Sequence, residues 1–298
     1  MRVAVVGHVE WVEFARVERM PAAGDIAHAT DVWAEAAGGG AVAAVQLVRL
    51  AGEATLFTVL GNDELGRRAR KQLTAQGVTV RAVVAKEPQR RAFTLVDGSG
   101  ERTIVVLGPK LRPSGEEGGL PWEELRDADA VFFVSGDVAA LRAARRARVL
   151  VATSRELPTL RDGGVELDAL VGSAGDETER FGPGDLEPPP RLSITTSGGL
   201  GGWMKPGGPF RAAPIPGPVE DAYGCGDCFA AGLTPSSSSA GTPRRCGRPG
   251  GRACSLRRRG SSRPCGTRRS SSTLSSGAGR TRASATAWAT STRHRVSS

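Results

Sequence analysis

The chain has 298 residues, a length that suits one large α/β domain or two small ones. No apolar run reaches the length of a membrane span and the start lacks a signal-peptide cleavage pattern, so we expect no membrane segment and a cytoplasmic location. The net charge of +9 does not describe the whole chain, because residues 235–298 contain 14 arginines and no acidic residue, whereas residues 1–234 contain 26 basic and 31 acidic residues.

The N-terminal part alternates strand-like and helix-like segments. Arg2–Val6 is a continuous apolar run that ends at Gly7, as a buried parallel strand does, and no Gly-x-Gly-x-x-Gly sequence follows, which argues against a dinucleotide-binding fold. The other predicted elements are a half-exposed strand at Ile26–Trp33, a helix at Ala41–Leu50 opened by three glycines, a strand at Ala54–Leu60 and a charged helix at Arg67–Ala75.

The middle of the chain has the pattern of a doubly wound sheet with an added flap. Strand-like runs at Val78–Val84, Arg91–Asp97 and Arg102–Leu107, the last two joined by a Gly-Ser-Gly turn, predict a small β flap. From residue 130 strand and helix alternate again, which predicts a mostly parallel α/β sheet. These elements are strands at Val131–Val134, Val149–Ala152, Leu167–Val171 and Leu192–Thr196 and a helix at Ala139–Arg148.

The stretch Asp221–Thr234 carries the strongest functional signal. A glycine-rich turn ends at Asp227 and leads into small apolar residues, which predict the start of a buried helix. The amides of residues 224–227 then lie at a helix N-terminus, where an anion binds well, and an ionised Asp227 beside them can accept a proton from a hydroxyl. The spacing alone also fits a plain helix cap. Cys225-x-x-Cys228 has the spacing of a redox or metal pair, but no second pair accompanies it.

This stretch resembles the Asp-Thr-x-Gly-Ala-Gly-Asp motif of the PfkB family of sugar and nucleoside kinases, the ribokinase-like kinases. The resemblance implies a catalytic base, Asp227, and an anion hole formed by Gly224, Cys225 and Gly226. It also implies a three-layer α/β/α fold with a small β flap at about residues 26–34 and 78–107, and phosphotransfer from ATP, with Mg²⁺, to a hydroxyl of a sugar or small polyol. A homodimer through the flap is a further expectation.

The same resemblance implies positions for the substrate. Gly38 and Gly39 match the family's Gly-Gly turn, and Gly61, Asp63 and Gly66 match its next turn. The family's substrate-binding Asn falls on Ala43, and its substrate-binding Asp falls on Val12, which leaves the nearby Glu10 and Glu13 as candidates. Arg91, at the edge of the flap, is a further candidate, although each of these charged residues also suits a solvent-facing position.

The nucleotide and metal positions are implied in the same way. Thr196, Gly198 and Gly201 match a segment that lies along the nucleotide phosphates in the family. Glu177 or Glu179 supplies the acid for Mg²⁺, with Glu179 the chosen candidate, whereas Gly175 stands in place of the family's Asn. The losses at Ala43 and Gly175 leave open a non-catalytic sugar- or nucleotide-binding relative of the kinases.

Residues 235–298 differ in kind from the kinase-like domain, residues 1–234. They are rich in Arg, Ser, Gly and Pro, and their only large apolar residues, Leu256, Leu274, Trp288 and Val296, are too few to offset chain entropy, so disorder is expected. A reading frame that shifts near Thr234 is the favoured explanation, because a GC-rich gene read out of frame gives this composition. We then expect the chain to lack part of the nucleotide pocket and to be unstable or inactive.

A genuine basic arm that binds nucleic acid or an acidic surface is the alternative explanation of the tail. Aromatic residues for base stacking are not interleaved with its arginines, which disfavours nucleic acid as a partner.

Overall fold

A computed structural model describes residues 1–215, 217 and 219–238. In chain order its strands and helices are β1 (Val3–Val6), β2 (Glu10–Arg16), β3 (Asp31–Ala37), α1 (Gly39–Ala51), β4 (Ala54–Leu60), α2 (Glu64–Ala75), β5 (Val78–Val84), β6 (Arg91–Val96), β7 (Arg102–Leu107), β8 (Ala130–Phe133), α3 (Val138–Ala144), β9 (Leu150–Thr153), α4 (Leu157–Gly163), β10 (Ala169–Ser173), β11 (Ser193–Thr196), β12 (Gly202–Lys205), β13 (Gly208–Phe210) and α5 (Cys225–Ser238). No helix in these ranges is long and apolar enough to cross a membrane.

Nine strands form the central sheet, in the order β13-β12-β11-β10-β9-β8-β1-β4-β5. All neighbours pair in parallel except β12 and β13, which are antiparallel. Both faces of β1 are buried: Val3 and Val5 pack beneath α1, α2 and α5, whereas Ala4 and Val6 pack beneath α3 and α4. The predicted three-layer, mostly parallel α/β/α fold is therefore confirmed.

A second, four-stranded sheet, in the order β3-β2-β6-β7, forms the flap. Its composition corrects the predicted segments in two ways. Val78–Val84 was assigned to the flap, but it is β5 and extends the central sheet by pairing in parallel with β4. The strand β2 was not predicted, although it lies in the middle of the flap. The strand expected at Ile26–Trp33 begins only at Asp31 and extends to Ala37.

The turn between β4 and α2 explains the second glycine motif. Asp63 caps α2 by accepting a hydrogen bond from the Gly66 amide at 2.9 Å, and its other carboxylate oxygen accepts one from the Gln89 amide at 3.1 Å. A Cβ atom on Gly61 would lie 2.0 Å from the Gln89 nitrogen, so only glycine fits there. The motif thereby fixes the segment that leads to Arg90 and β6.

The helix α5 follows the glycine-rich stretch and packs against α1. Ala230 and Ala231 lie in the core on that face of the sheet, as the small apolar run predicts. The helix continues through Ser238, four residues beyond the predicted boundary at Thr234. The expectations of disorder, of a shifted frame and of a nucleic-acid-binding arm were made for residues 235–298. Disorder is wrong for residues 235–238, which are helical. Residues 239–298 lie outside the described residues.

Candidate active site

The candidate site lies at the carboxyl ends of the parallel strands, where β1 separates two halves of the sheet. The chain passes from β1 to β4 and β5 on one side and returns through β8 to β11 on the other. Such a switch point leaves a crevice in which open α/β sheets bind ligands. His8 and Glu10 follow β1, Arg155 follows β9, and Glu179 follows β10, so side chains that follow three strand ends converge there.

Asp227 lies where the first turns of α5 and α1 meet. Its Oδ1 is 2.9 Å from the position that a Cβ atom on Gly39 would occupy, and Val134 Cγ1 is 2.7 Å from that position. A side chain at Gly39 would therefore displace the carboxylate. The structure thus brings together the predicted base and the predicted Gly-Gly turn, which are separated by almost 190 residues of sequence.

Tyr223 joins the same two turns, although the sequence reasoning did not assign it a role. The Gly38 amide donates a hydrogen bond to the buried Tyr223 hydroxyl at 3.1 Å, and the ring packs edge-on against Phe14 of the flap. Gly224, at φ 68°, follows directly, and a Cβ atom there would lie 2.7 Å from Val42 Cγ1. As the only tyrosine in the chain and part of the motif, Tyr223 could have been singled out.

The first turn of α5 carries the amides that the sequence predicts to bind an anion. The first helical hydrogen bond runs from the Cys228 amide to the Gly224 carbonyl at 2.9 Å, so the amides of Gly226 and Asp227 precede it. Cys225 and Gly226 are exposed, and a Cβ atom on Gly226 would meet no described atom within 4 Å. The space beside these amides therefore admits a ligand, and the helix dipole favours a negative one.

Asp227 is partly buried and electrostatically coupled to its surroundings. Burial raises the pKa of its carboxyl to about 6, with further upward contributions from the charges of Glu179 and Glu10. The positive charge of Arg155 is the main influence in the opposite direction. A carboxylate with this pKa is mostly ionised at neutral pH and retains more affinity for a proton than an exposed aspartate.

Arg155 forms ion pairs with two carboxylates near Asp227. Its guanidinium forms ion pairs with Asp176 at 2.9 Å and with Glu179. The predicted metal residue Glu179 is thus already paired with a cation, and its backbone carbonyl accepts a hydrogen bond from the Ser154 hydroxyl at 2.6 Å. Sequence reasoning did not single out Arg155 or Asp176, because they belong to different strand ends.

Glu10 is the predicted substrate carboxylate that the structure brings to the site. It shares a face of β2 with Val12 and Phe14, and its Cγ and backbone nitrogen are each 3.1 Å from the position of a Cβ atom on Gly38. Arg90 Nε lies 3.0 Å from its Oε1. Burial raises the pKa of Glu10, while the charge of Arg90 acts in the opposite direction.

Three predicted substrate positions are not part of this arrangement. Glu13 and Arg91 form an ion pair at 2.6 Å with each other, and Glu13 projects from the face of β2 opposite to Glu10. Nearly half of each side chain is exposed, as expected of a solvent-facing pair. The methyl group of Ala43 is fully buried in the core between α1 and the sheet, where it offers no hydrogen bond to a sugar.

The predicted nucleotide segment follows β11, beside the strand that leads to Glu179. Thr196 donates a hydrogen bond from its hydroxyl to the Gly172 carbonyl at 3.2 Å, and Gly198, at φ 55°, begins a short 3₁₀ turn. A Cβ atom on Gly201 would lie 2.1 Å from the Phe210 carbonyl oxygen. The glycines thus fix the turn at the sheet edge.

A shallow groove of about 450 Å³ lies nearby, between Leu200, Trp203 and Phe210. Trp203 pairs with Thr195, and their neighbours Ile194 and Met204 point to the α5 face of the sheet instead. Trp203 itself therefore lies on the face away from α5, whereas Phe210 stacks on Phe229 of α5. The groove thus lies across the edge of the sheet, and we do not assign it to the site.

The donor set suits a metal held chiefly by a nucleotide. No group of three or more His, Cys, Asp or Glu side chains in the described part of the chain could hold a metal ion by itself. Mg²⁺ commonly binds through one or two carboxylates, substrate phosphates and water, and Asp176 and Glu179 fit that use.

Comparisons with known proteins agree with this geometry. Residues 1–153 match a family model described as pfkB family carbohydrate kinase. A ribokinase from Dictyostelium discoideum is 32% identical over 108 residues, covering 36% of this chain and 34% of that protein. An ATP-dependent ribose-1-phosphate kinase from Halopiger xanaduensis is 30% identical over 252 residues, covering 78% of this chain and 83% of that protein.

The fold is also that of a solved ribokinase. The crystal structure of the Thermotoga maritima ribokinase superposes with a TM-score of 0.64 at 17% sequence identity, over 81% of this chain and 87% of that one. The family model covers just over half of the chain, and the Halopiger relative covers more than two thirds of it. The chain belongs to the pfkB family of carbohydrate kinases.

Proposed function

We propose that the protein transfers the γ-phosphoryl group of ATP to a hydroxyl of a sugar or related polyol, with Asp227 as the general base. One observation carries the proposal: the Asp227 carboxylate lies in the first turn of α5, beside open amides and directly against the Gly39 turn. A hydroxyl bound over that turn is then close to both the base and the anion cradle. The relatives named as kinases support the same reaction class.

In the proposed step the hydroxyl proton passes to the Asp227 carboxylate. The hydroxyl oxygen forms a bond to the γ-phosphorus, and the bond from that phosphorus to the β–γ bridging oxygen breaks. ADP leaves with the electron pair of the broken bond. The amides of Gly226 and Asp227 face the charge that builds up on the transferred group, which stabilises the transition state.

Arg155, Asp176 and Glu179 are the second group of residues that we propose to act in catalysis. Arg155 lowers the pKa of Asp227 and so keeps the base ionised at neutral pH. Mg²⁺, bound with ATP, would neutralise the phosphate charge, and Asp176 and Glu179 would hold it through water. Thr196, Gly198 and Gly201 are proposed to lie along the nucleotide phosphates.

Replacement of the base tests the proposal. Asp227→Asn keeps the side-chain shape but cannot accept the proton, so sugar-dependent ADP release is expected to fall by about 10²-fold or more while ATP affinity is retained. Because the pKa of folded Asp227 is raised, its ionisation above about pH 6 destabilises the fold, so the variant is also expected to melt at a higher temperature at pH 8. Asp162→Asn, at an exposed position, is the control.

Undiminished ADP release by Asp227→Asn would remove Asp227 as the base. A second candidate function, sugar or nucleotide binding without catalysis, is favoured by the buried methyl at Ala43 and by the pairing of Glu179 with Arg155. Calorimetry with sugars in the presence of ATP and Mg²⁺ separates the two, because heat of binding without ADP release supports the second.

A further inference from the structure

We propose that Cys225 and Cys228 are a reversible redox pair, which a hydroperoxide such as hydrogen peroxide joins in a disulfide that weakens anion binding at the start of α5. The backbone amides concerned, those of residues 224–227, are called the anion cradle below. The proposed phosphotransfer makes no use of the Cys-x-x-Cys spacing. Formation of the disulfide is independent of the proposed function, whereas its effect on turnover rests on that function.

The two thiols differ in their access to solvent. Both cysteines are reduced in the structure. Cys225 is the first residue of α5 and is exposed, whereas Cys228 is buried and belongs to an apolar cluster with Val42 and Tyr223. Exposed thiols at helix N-termini are the ones that oxidants reach and attack, and buried thiols are inert. A peroxide in solution therefore oxidises Cys225 first.

The helix brings the buried thiol within reach of the exposed one. Residues three apart lie on one face of a helix, with Cβ atoms about 5–6 Å from each other. A disulfide needs Cβ atoms about 4 Å apart, so the first turn of α5 has to tighten by about 1–2 Å. Gly226 lies inside that turn and supplies the backbone freedom for this movement. Cys228 is thus reached from within the chain and needs no contact with peroxide.

The oxidation takes place in two balanced steps. The Cys225 thiolate attacks one oxygen of the peroxide, the O–O bond breaks, and the products are a Cys225 sulfenic acid and a hydroxide that takes up the thiol proton as water. The Cys228 sulfur then attacks the Cys225 sulfur. The S–S bond forms, the S–O bond breaks, and the hydroxyl leaves with the Cys228 proton as a second water. Two thiols are oxidised and one peroxide is reduced.

The disulfide alters the anion cradle because it closes over the residues that form it. Gly226 and Asp227 lie between the two cysteines, and their amides precede the first helical hydrogen bond, from the Cys228 amide to the Gly224 carbonyl at 2.9 Å. A tighter turn reorients these amides. It also moves the Asp227 carboxylate, whose Oδ1 lies only 2.9 Å from the position of a Cβ atom on Gly39. Oxidation therefore affects the bound anion and the base together.

Mass spectrometry of the full chain tests whether the disulfide forms. Trypsin releases residues 212–244 as one peptide, which contains Cys225 and Cys228 and none of the other three cysteines of the chain: Cys246, Cys254 and Cys265. After treatment with hydrogen peroxide and then iodoacetamide, this peptide is expected to be lighter by two hydrogen atoms and to carry no alkyl group. Dithiothreitol, added before iodoacetamide, is expected to restore the doubly alkylated peptide.

Three variants separate the roles of the two thiols. Cys228→Ala keeps the exposed thiol but removes its partner, so peroxide is expected to leave a Cys225 sulfenic acid that dimedone traps. Cys225→Ser removes the exposed thiol, so the buried Cys228 is expected to stay reduced. Cys254→Ser, outside the motif, is the matched control and is expected to form the disulfide as the unmodified chain does. Far-ultraviolet circular dichroism checks that each variant folds.

Calorimetry with tripolyphosphate, the phosphate chain of ATP without its nucleoside, tests the effect on the anion cradle. The reduced chain is expected to bind this probe about tenfold or more tightly than the oxidised chain, and dithiothreitol is expected to restore the affinity. Cys225→Ser is expected to bind the probe equally before and after peroxide. Sugar-dependent ADP release, measured in parallel, is expected to fall when the unmodified chain is oxidised and to recover with dithiothreitol.

Three results would overturn the inference: both thiols of the peptide survive peroxide, a disulfide joins Cys225 to one of the other three cysteines, or tripolyphosphate does not distinguish the reduced chain from the oxidised one. A reduced chain that releases no ADP removes the proposed function but not the redox pair. Conversely, ADP release by a chain that forms no disulfide removes the redox pair but not the proposed function.

Discussion

At the scale of single residues, the Asp227 carboxylate fits in its position because the neighbouring Gly39 has no side chain. A Cβ atom on Gly39 would lie only 2.9 Å from Asp227 Oδ1. Tyr223 holds the adjacent Gly38 amide, so the turn cannot move away without breaking a buried hydrogen bond. The base is thereby held in position before any substrate binds, which is the condition for electrostatic preorganisation.

The pH dependence of turnover follows from the pKa of Asp227. Because the base must be ionised, kcat/KM is expected to rise with pH through about 6 and to level off above it. Arg155→Gln removes the charge that lowers this pKa, so the acidic limb is expected to move to higher pH by roughly one unit. Arg161→Gln breaks an ion pair of similar kind with Asp185 at the surface and is the control.

A pH–rate profile of Arg155→Gln that coincides with that of the unmodified protein would argue against the electrostatic role of Arg155. A fall in rate without movement of the limb would assign Arg155 to the phosphates instead.

At the scale of elements, the flap presents an unusual edge. All six residues of β7 are exposed, and four consecutive ones are apolar: Ile104, Val105, Val106 and Leu107. Exposed apolar edge strands favour pairing with another chain. This surface supports the expectation of a homodimer through the flap, which we keep as a proposal.

A charge on β7 tests the proposed dimer. Val105 is 54% exposed, and Val105→Lys places a cation in the middle of the strand, so we expect it to shift a dimer to monomer in sedimentation equilibrium. Leu50→Lys, at 52% exposure on α1, is the matched control and should leave the assembly unchanged. A protein that sediments as a monomer before mutation would remove the proposal.

Much of the element pattern could be predicted from the sequence, and the failures have physical causes. The bounds of β4, β5 and β7 agree with prediction because each is a compact β-branched run between turn residues. The strand β2 was missed because Glu10 and Glu13 interrupt its apolar residues, and β5 was misplaced because local pattern does not specify a partner strand. Asp227 and the amides of residues 224–227 were proposed from one local motif. The placement of Arg155 and Asp176 near them depends on contacts between distant strand ends, which no local motif shows.

At the scale of the whole molecule, one face of the sheet is incompletely covered by the described residues. Five apolar side chains near β11 to β13 and α5 pack against the core only in part: Leu192, Met204, Phe210, Phe229 and Leu233. All lie on the α5 side. In the described part of the chain no further helix follows α5 over these side chains, and the frameshift interpretation of residues 235–298 stays a prediction.

Restoration of the reading frame tests this interpretation. If the gene carries a shift near the codon for Thr234, the frame-corrected protein should bury this face and melt at a temperature higher by more than about 5 °C in scanning calorimetry. Its sugar-dependent ADP release should exceed that of the present chain. Resequencing that finds an intact frame, or an equal melting temperature for both proteins, would contradict the interpretation.

The close link between flap and base has a consequence for how the two work together. The strand β3 ends at Ala37, and only Gly38 separates it from the helix whose first residue touches Asp227. A movement of the flap therefore bends the chain at Gly38, next to the residue that contacts the carboxylate. Because the carboxylate is already in place, we expect closure of the flap chiefly to expel water from around it, so that ATP is hydrolysed only slowly when no sugar is bound.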